Sequence, residues 1–265
     1  MFDLDAYVER IGLSGRPSLA ELHRAHVTSI PFENLDPHAG LPVSLELEDL
    51  QHKLVGERRG GYCFEQNLLF KGALEALGTQ VDAMLARVKR GAPAGVVRPR
   101  THLVLRVFLD GEPWLADVGL GLGTLLAPLP FDPGDVHEQS GWRFRVVTDQ
   151  HEHVLQTQSV DGWVDVYGFV PQPVPMVDIE VANWFTSTHP RSPFVSGLIV
   201  GAQTRDGVRT SLSDWGELAL TVQTPAGTSV TPLEREAIPE LLATRFSLPG
   251  FALAADGRPV LTNAG

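Results

Sequence analysis

The chain is short of thiols. Cys63 is the only cysteine among 265 residues. One thiol cannot close a disulfide within the chain, and it excludes a metal centre built from several thiolates. Positive charge is scarce too. Twenty-one Lys and Arg stand against 32 Asp and Glu, a formal charge of −11. A chain this acidic repels polyanions, which argues against nucleic acid or an anionic membrane as partner. No stretch approaches the roughly 18 apolar residues of a membrane span. The opening "MFDLDAYVERIGLSG" carries acids early and has no apolar run of signal-peptide length. No internal repeat, low-complexity tail, GxGxxG or Walker pattern is present. The expectation is a cytoplasmic globular protein, without bound metal, whose thiol stays reduced.

What is present suffices for a sizeable core. Hydrophobic residues make up 43%, and the length suits one large domain or two to three small ones. Up to about residue 80 the spacing is helical. Leu4, Tyr7, Val8 and Ile11 share one face, and Ser18 with Glu21 forms a capping-box pattern. Leu47, Leu50, Leu54 and Val55 repeat the spacing, as do Leu68, Leu69, Ala73 and Leu77 before Gly78. From residue 80 to about 180, short runs rich in Val, Leu and aromatics alternate with turns such as Asp110–Gly111 and Asp161–Gly162. They predict a small antiparallel sheet or barrel. "VPQPVPMVDIEVAN" reads as a proline-rich crossover, and "NWFTSTHPRSPF" as a helix or turn cap. Beyond it, "GLIVGAQT", "VRTSLSDW" and "LALTVQT" read as strands. "TPLEREAIPELLATRF" reads as a helix capped by Thr231 with Glu234 three residues on.

Two readings of Cys63 compete. A lone buried cysteine is commonly an inert hydrophobe. But Cys63 follows Gly60 and Gly61, which permit a tight turn, and it precedes a helical pattern. The start of a helix favours a thiolate. A nucleophile needs a base, and the base needs an orienting group. His23 and His26 lie in a helix, where solvent or structural partners are expected to satisfy them. His102 instead opens "HLVLRVFL", which turns at "DG" and returns through "WLADVG". A hairpin centred between residues 109 and 110 brings His102 opposite Asp117. The bland alternative is an edge-strand Asp and a strand-end His, both facing water.

Four separated strings resemble the arylamine N-acetyltransferases: "IPFENLD", "RRGGYCFEQN", "THLVLRV" and "LADVGLG". The resemblance implies an α+β architecture: a helical bundle (1–80), a central antiparallel β-barrel (81–180) and an α/β lid (181–265), around a cysteine-protease-like core. It implies Cys63 as acyl-accepting nucleophile, His102 as base and Asp117 as orienter. The donor would be acetyl-CoA, a co-substrate rather than a bound prosthetic group, and the acceptor a small arylamine or arylhydrazine. Arg59 and Glu33 would pair to hold the Gly60–Gly61–Cys63 turn. Phe32 and Leu120 would contact the acceptor. Leu120 departs from the phenylalanine common at that place in the family, which weakens stacking on an aryl ring.

The segment "RVKRGAPAGVVRPRTH" holds Arg87, Lys89, Arg90, Arg98 and Arg100 with no acid among them. Arg98 and Arg100 are candidates for the CoA phosphates, against the reading of a solvated loop. Three other functions use the same residues: an amide synthase fed by a carrier protein, a cysteine or transglutaminase-like hydrolase, and a non-catalytic binding protein of the same fold.

Overall fold

The computed structural model describes residues 2–93 and 95–262. Helices come first. α1 (Leu4–Arg10) is capped by Asp3, whose side chain accepts from the Ala6 N–H. α2 (Leu19–Ser29) starts with the Ser18–Glu21 capping box. A two-residue strand, β1 (Phe32–Glu33), and a single turn, α3 (Leu35–His38), follow. α4 (Leu47–Gln51) runs on into a π-helical turn, His52–Gly56. α5 (Cys63–Ala76) ends where Gly78 takes φ +81°. Eleven of its first twelve residues are buried, so it lies inside the molecule rather than on it.

The middle of the chain forms an eight-stranded antiparallel sheet: β2 (Gln80–Val88), β3 (His102–Leu109), β4 (Glu112–Ala116), β5 (Leu129–Pro130), β6 (His137–Gln139), β7 (Trp142–Asp149), β8 (Glu152–Ser159) and β9 (Gly162–Phe169). The order is β5-β4-β3-β2-β9-β8-β7-β6, and the curled sheet is barrel-like. Strand alternation serves two cores. Met84, Ala86 and Val104 point inward onto Leu155, Tyr167 and Phe169. Their neighbours Ala83, Leu85, Leu103 and Leu105 point outward onto the helices, with Phe64 and Phe70 of α5.

The last third combines α6 (Met176–Thr188), α7 (Pro193–Ser196), strands β10 (Ile199–Gln203), β11 (Arg209–Ser213), β12 (Ala219–Thr224) and β13 (Gly227–Pro232), helix α8 (Ile238–Arg245) and a hairpin of β14 (Phe251–Leu253) and β15 (Pro259–Leu261). The five-stranded sheet runs β1-β10-β11-β12-β13, so Phe32 and Glu33 of the N-terminal part extend the C-terminal sheet.

The fold class is the expected α+β, with two local corrections. The stretch read as a proline-rich crossover holds α6, which begins as soon as Pro175 supplies the N-cap position. Thr231 caps no helix. It is paired with Leu220 inside a hairpin, and α8 starts later, where Pro239 fits the first turn.

Candidate active site

Cys63 is the first residue of α5 and is 3% exposed. Its Sγ lies 3.5 Å from the Thr101 carbonyl, the residue before His102. His102 opens β3, and its Nε2 is 2.8 Å from Asp117 Oδ2. Both are buried, and Asp117 is fully so, which removes the reading in which they face water. With Nε2 taken by Asp117, Nδ1 is the nitrogen left for Cys63.

The hairpin differs from expectation in register. Leu109 pairs with Glu112 and Leu105 with Ala116, so the turn is centred on Asp110–Gly111, one residue later than expected. Both turn residues take positive φ, 52° and 85°, as a two-residue primed turn requires. Asp117 therefore falls just past β4 and reaches His102 diagonally rather than across the ladder.

Burial alone would push the His102 pKa down. The Asp117 charge and hydrogen bond, joined by the Cys63 thiol, outweigh it and raise the pKa to about 10. Burial likewise disfavours the Asp117 carboxylate. The His102 charge, with hydrogen bonds from His102, the Gly119 N–H and Asn67, holds its pKa below the usual range. The site thus favours an imidazolium–carboxylate pair at neutral pH.

Several residues that sequence reasoning left aside complete the shell. Asn67, one turn along α5 from Cys63, donates to Asp117 Oδ1 (3.1 Å) and the Leu103 carbonyl (2.9 Å), and accepts from the Val118 N–H (3.1 Å). His23 is buried, and its Nε2 accepts from the Asp117 N–H at 3.2 Å. The Tyr167 ring lies 5.0 Å from the His102 imidazole; burial first, then the Asp117 charge, keep its phenol protonated. His26 bonds Tyr7 and Gln66, and Gln66 Nε2 donates to the Pro31 and Gly61 carbonyls. Both helix histidines are buried rather than solvated: His26 has both ring nitrogens bonded, and His23 is bonded through Nε2.

Arg59 and Glu33 meet as expected, but not fork to fork. Arg59 Nε (3.0 Å) and Nη2 (2.7 Å) share Glu33 Oε1, while Glu33 Oε2 accepts from the Leu35 N–H at 2.7 Å. The pair is the end of a longer chain. Arg59 Nη2 also reaches Asp36 (2.9 Å), and Lys53 Nζ joins Asp36 to Glu65, 2.6 Å from each. Burial raises the Glu65 pKa to about 7 against the opposing Lys53 charge. Glu65 Oε2 in turn accepts from the Tyr62 N–H, beside Cys63. Lys53 gave no sequence signal, because its partners are 12 and 17 residues away.

Gly60 and Gly61 do a different job from the one expected. Neither has positive φ; Arg58, at φ 55°, makes the turn. A Cβ on Gly60 would lie 2.2 Å from the Pro31 carbonyl oxygen, and one on Gly61 2.8 Å from Glu65 Oε2. They are needed for close backbone approach. Gly119 matches them from the other side: its Cβ would lie 2.8 Å from the Cys63 Cα.

Phe32 shares the apolar cluster that contains Cys63, and its ring packs on Phe194. Leu120 leans on the barrel-like core instead, and Leu122 packs against the cluster of Cys63 and Phe32. The basic segment splits. Arg98 lines an open groove of about 430 Å³ with Arg87, Val97, Pro99, Phe185 and Arg191. Arg100 is not among the groove residues. Asp149 and Glu152, remote in sequence, pair with Lys89 at 3.5 and 3.3 Å. Among the described residues no cluster of His, Cys, Asp or Glu is arranged to hold a metal ion. Among the described residues no helix is long and apolar enough to cross a membrane.

Known proteins resemble this chain in sequence and in fold. A family model described as N-acetyltransferase matches residues 17–250. An arylamine N-acetyltransferase of Mycolicibacterium smegmatis is 43% identical over 77% of this chain and 78% of its own. One from Mycobacterium bovis is 38% identical over 93% and 89%. The structure of the Mycobacterium marinum arylamine N-acetyltransferase in complex with CoA superposes with a TM-score of 0.87, at 38% identity, over 93% of each chain.

Proposed function

The chain belongs to the arylamine N-acetyltransferase family, and from that membership we propose that it carries acetyl from acetyl-CoA to the nitrogen of arylamines or arylhydrazines in two steps through Cys63. The carrying observation is one buried arrangement: a thiol at the start of α5 beside an imidazole bonded to a carboxylate.

In the first step the Cys63 thiolate attacks the thioester carbonyl. The Cys63 backbone N–H, unpaired at the helix start, donates to the developing oxyanion. The intermediate collapses, the CoA thiolate leaves, and the His102 imidazolium supplies its proton. In the second step the amine attacks the acetyl-cysteine, His102 takes the amine proton, and the Cys63 thiolate leaves. The electrostatics suit this order. Part of the upward push on His102 comes from Cys63. Acetylation removes that charge, so the imidazole gives up its proton more readily when a base is needed.

Asp117 holds the imidazole by Nε2, and Asn67 and His23 hold Asp117. The Arg59–Glu33 pair, extended by Asp36, Lys53 and Glu65, fixes the approach of Gly60 and Gly61 to Cys63. Phe32, supported by Phe194, is the aromatic acceptor contact; Leu120 contributes through the loop it anchors. Arg98 is assigned to the CoA phosphates together with Arg87 and Arg191 across the groove, and Arg100 adds charge behind it. Helical, barrel-like and C-terminal parts, near residues 1–80, 81–180 and 181–265, are the proposed domains. The setting is cytoplasmic handling of foreign aromatic amines, without metal, nucleic acid or membrane.

Steady-state kinetics test the scheme. Double-reciprocal plots at several acetyl-CoA concentrations should give parallel lines, as a substituted-enzyme mechanism requires. Intersecting lines would mean direct transfer in a ternary complex.

A further inference from the structure

The second arginine cluster of this acidic chain lies apart from Cys63, where the barrel-like sheet meets the C-terminal sheet. Arg209 on β11 is 3% exposed, yet its Nε and Nη2 have no acceptor at hydrogen-bonding distance among the described residues. Its guanidinium carbon lies over the Trp142 ring of β7, 3.6 Å from the centroid. Stacking satisfies the face of the fork and leaves its edge open. Gln203, directly opposite on β10, is 6% exposed, and neither side-chain amide atom is hydrogen-bonded.

Two neighbouring features converge on the same place. Gly201, two residues before Gln203 and so on the same face of β10, packs on Leu122. The Leu122 carbonyl accepts from Arg90 Nη1 at 3.0 Å. Gly123, at φ +87°, lets the chain pass so close to Arg90 that a Cβ there would lie 2.6 Å from Nη1. Arg90 and Arg209 feel one another: burial first, and then the Arg90 charge, lowers the Arg209 pKa to about 9. Among the described residues neither arginine forms a salt bridge.

Two like charges in a partly dry site, with open donors and no carboxylate, are unfavourable as they stand. An oxyanion answers every requirement at once. It accepts from the Arg209 edge, takes the Gln203 amide, and offsets both charges. We propose that Arg209, Arg90 and Gln203 form a binding site for a phosphate-class oxyanion, clamped between the barrel-like sheet and the C-terminal sheet.

The ligand chemistry has two sources, a phosphate of CoA or free inorganic phosphate. The loop from Gly119, against Cys63, to Gly123, against Arg90, is only four residues long and spans at most ~14 Å. One CoA molecule can therefore bear on both ends of it.

The test is calorimetric titration of the full chain with inorganic phosphate, at ionic strength held constant with chloride. Wild type should bind one phosphate, and Arg209→Gln should weaken binding by about tenfold or more, as loss of a charge-assisted pair of bonds implies. Should Arg209→Gln misfold once its Trp142 stack is gone, Gln203→Leu carries the same comparison. Adding CoA then separates the sources: competition places a CoA phosphate in the site, and independent binding makes it a free-anion site. No phosphate binding by wild type, or equal binding by the variants, overturns the proposal. This readout needs no acyl transfer, so it fails separately from the assignment of Cys63.

Discussion

Replacing Glu33 with glutamine should do far more damage than the loss of one charge suggests. Both carboxylate oxygens of Glu33 are acceptors. Oε1 takes Arg59 Nε and Nη2, and Oε2 takes the Leu35 N–H. An amide has one oxygen. If that oxygen faces Arg59, its NH2 meets the Leu35 N–H; if it faces Leu35, its NH2 meets the guanidinium. Either way a buried donor opposes a buried donor. In the second arrangement Arg59 keeps only Asp36, a residue that Lys53 also claims. The side chains of Glu33 and Arg59 are 0% and 7% exposed, so water rescues neither. Removing one partner of a buried ion pair costs ~3–5 kcal/mol, and this site belongs at the upper end because a second bond is lost with it. Urea unfolding of Glu33→Gln at pH 7 should show that loss through the midpoint, with an unchanged m-value. The residual folded enzyme should also lose kcat/KM, since the side-chain bonds that hold Arg59, four residues before Cys63, are disturbed. A cost below about 1 kcal/mol with full activity would refute the argument, because it would fall in the range of a solvated surface pair.

Other perturbations follow from the same contacts. Lys53→Met should destabilise by ~3–5 kcal/mol in urea unfolding, because Asp36 and Glu65 lose their shared cation; a neutral outcome would mean that Glu65 is uncharged in the folded protein. Gly119→Ala should abolish acetyl transfer while leaving the far-UV circular dichroism spectrum unchanged, since its Cβ would push on the Cys63 backbone; retained turnover would show that the turn yields freely. Burial lowers the pKa of His23 to about 4 and of His26 to about 3, from 6.5. Their contribution is present above pH 6.5 and is lost as pH falls through those folded values, worth ~3–5 kcal/mol each at the acid end. The raised pKa of Glu65 acts in the opposite sense between about 4.5 and 7, and comparison with a variant cancels it. His26→Gln should therefore lose less stability between pH 6.5 and 4 than wild type, and equal losses would contradict the assignment.

Local rules made much of this molecule legible. The Ser18–Glu21 box, the helix beginning at Cys63 and the strand pair from His102 to Asp117 depend on residues close in sequence. The hairpin register was missed because a two-residue primed turn fixes its centre more tightly than hydrophobic spacing does. The first half of α6 was hidden for a packing reason. The helix exposes Val177, Val181 and Trp184 and buries Asn183, Thr186 and Ser187, reversing the pattern that marks a surface helix. Asn183 accounts for part of this, since it accepts from the Tyr62 hydroxyl and donates to the Val43 carbonyl. The His23 bond, the Lys53 bridge and the Arg209 stack join residues 94, 12 and 67 positions apart. No local pattern announces such contacts.

The assignment of Cys63 as acyl acceptor rests on geometry that mass spectrometry of the intact protein reads directly. Incubated with acetyl-CoA alone, the wild-type chain should gain one acetyl group, mapped to Cys63, and an added arylamine should remove it. Cys63→Ser should gain none under the same conditions. An unmodified Cys63 alongside turnover of acetyl-CoA and arylamine, or an acetyl group that the amine cannot discharge, would contradict the account.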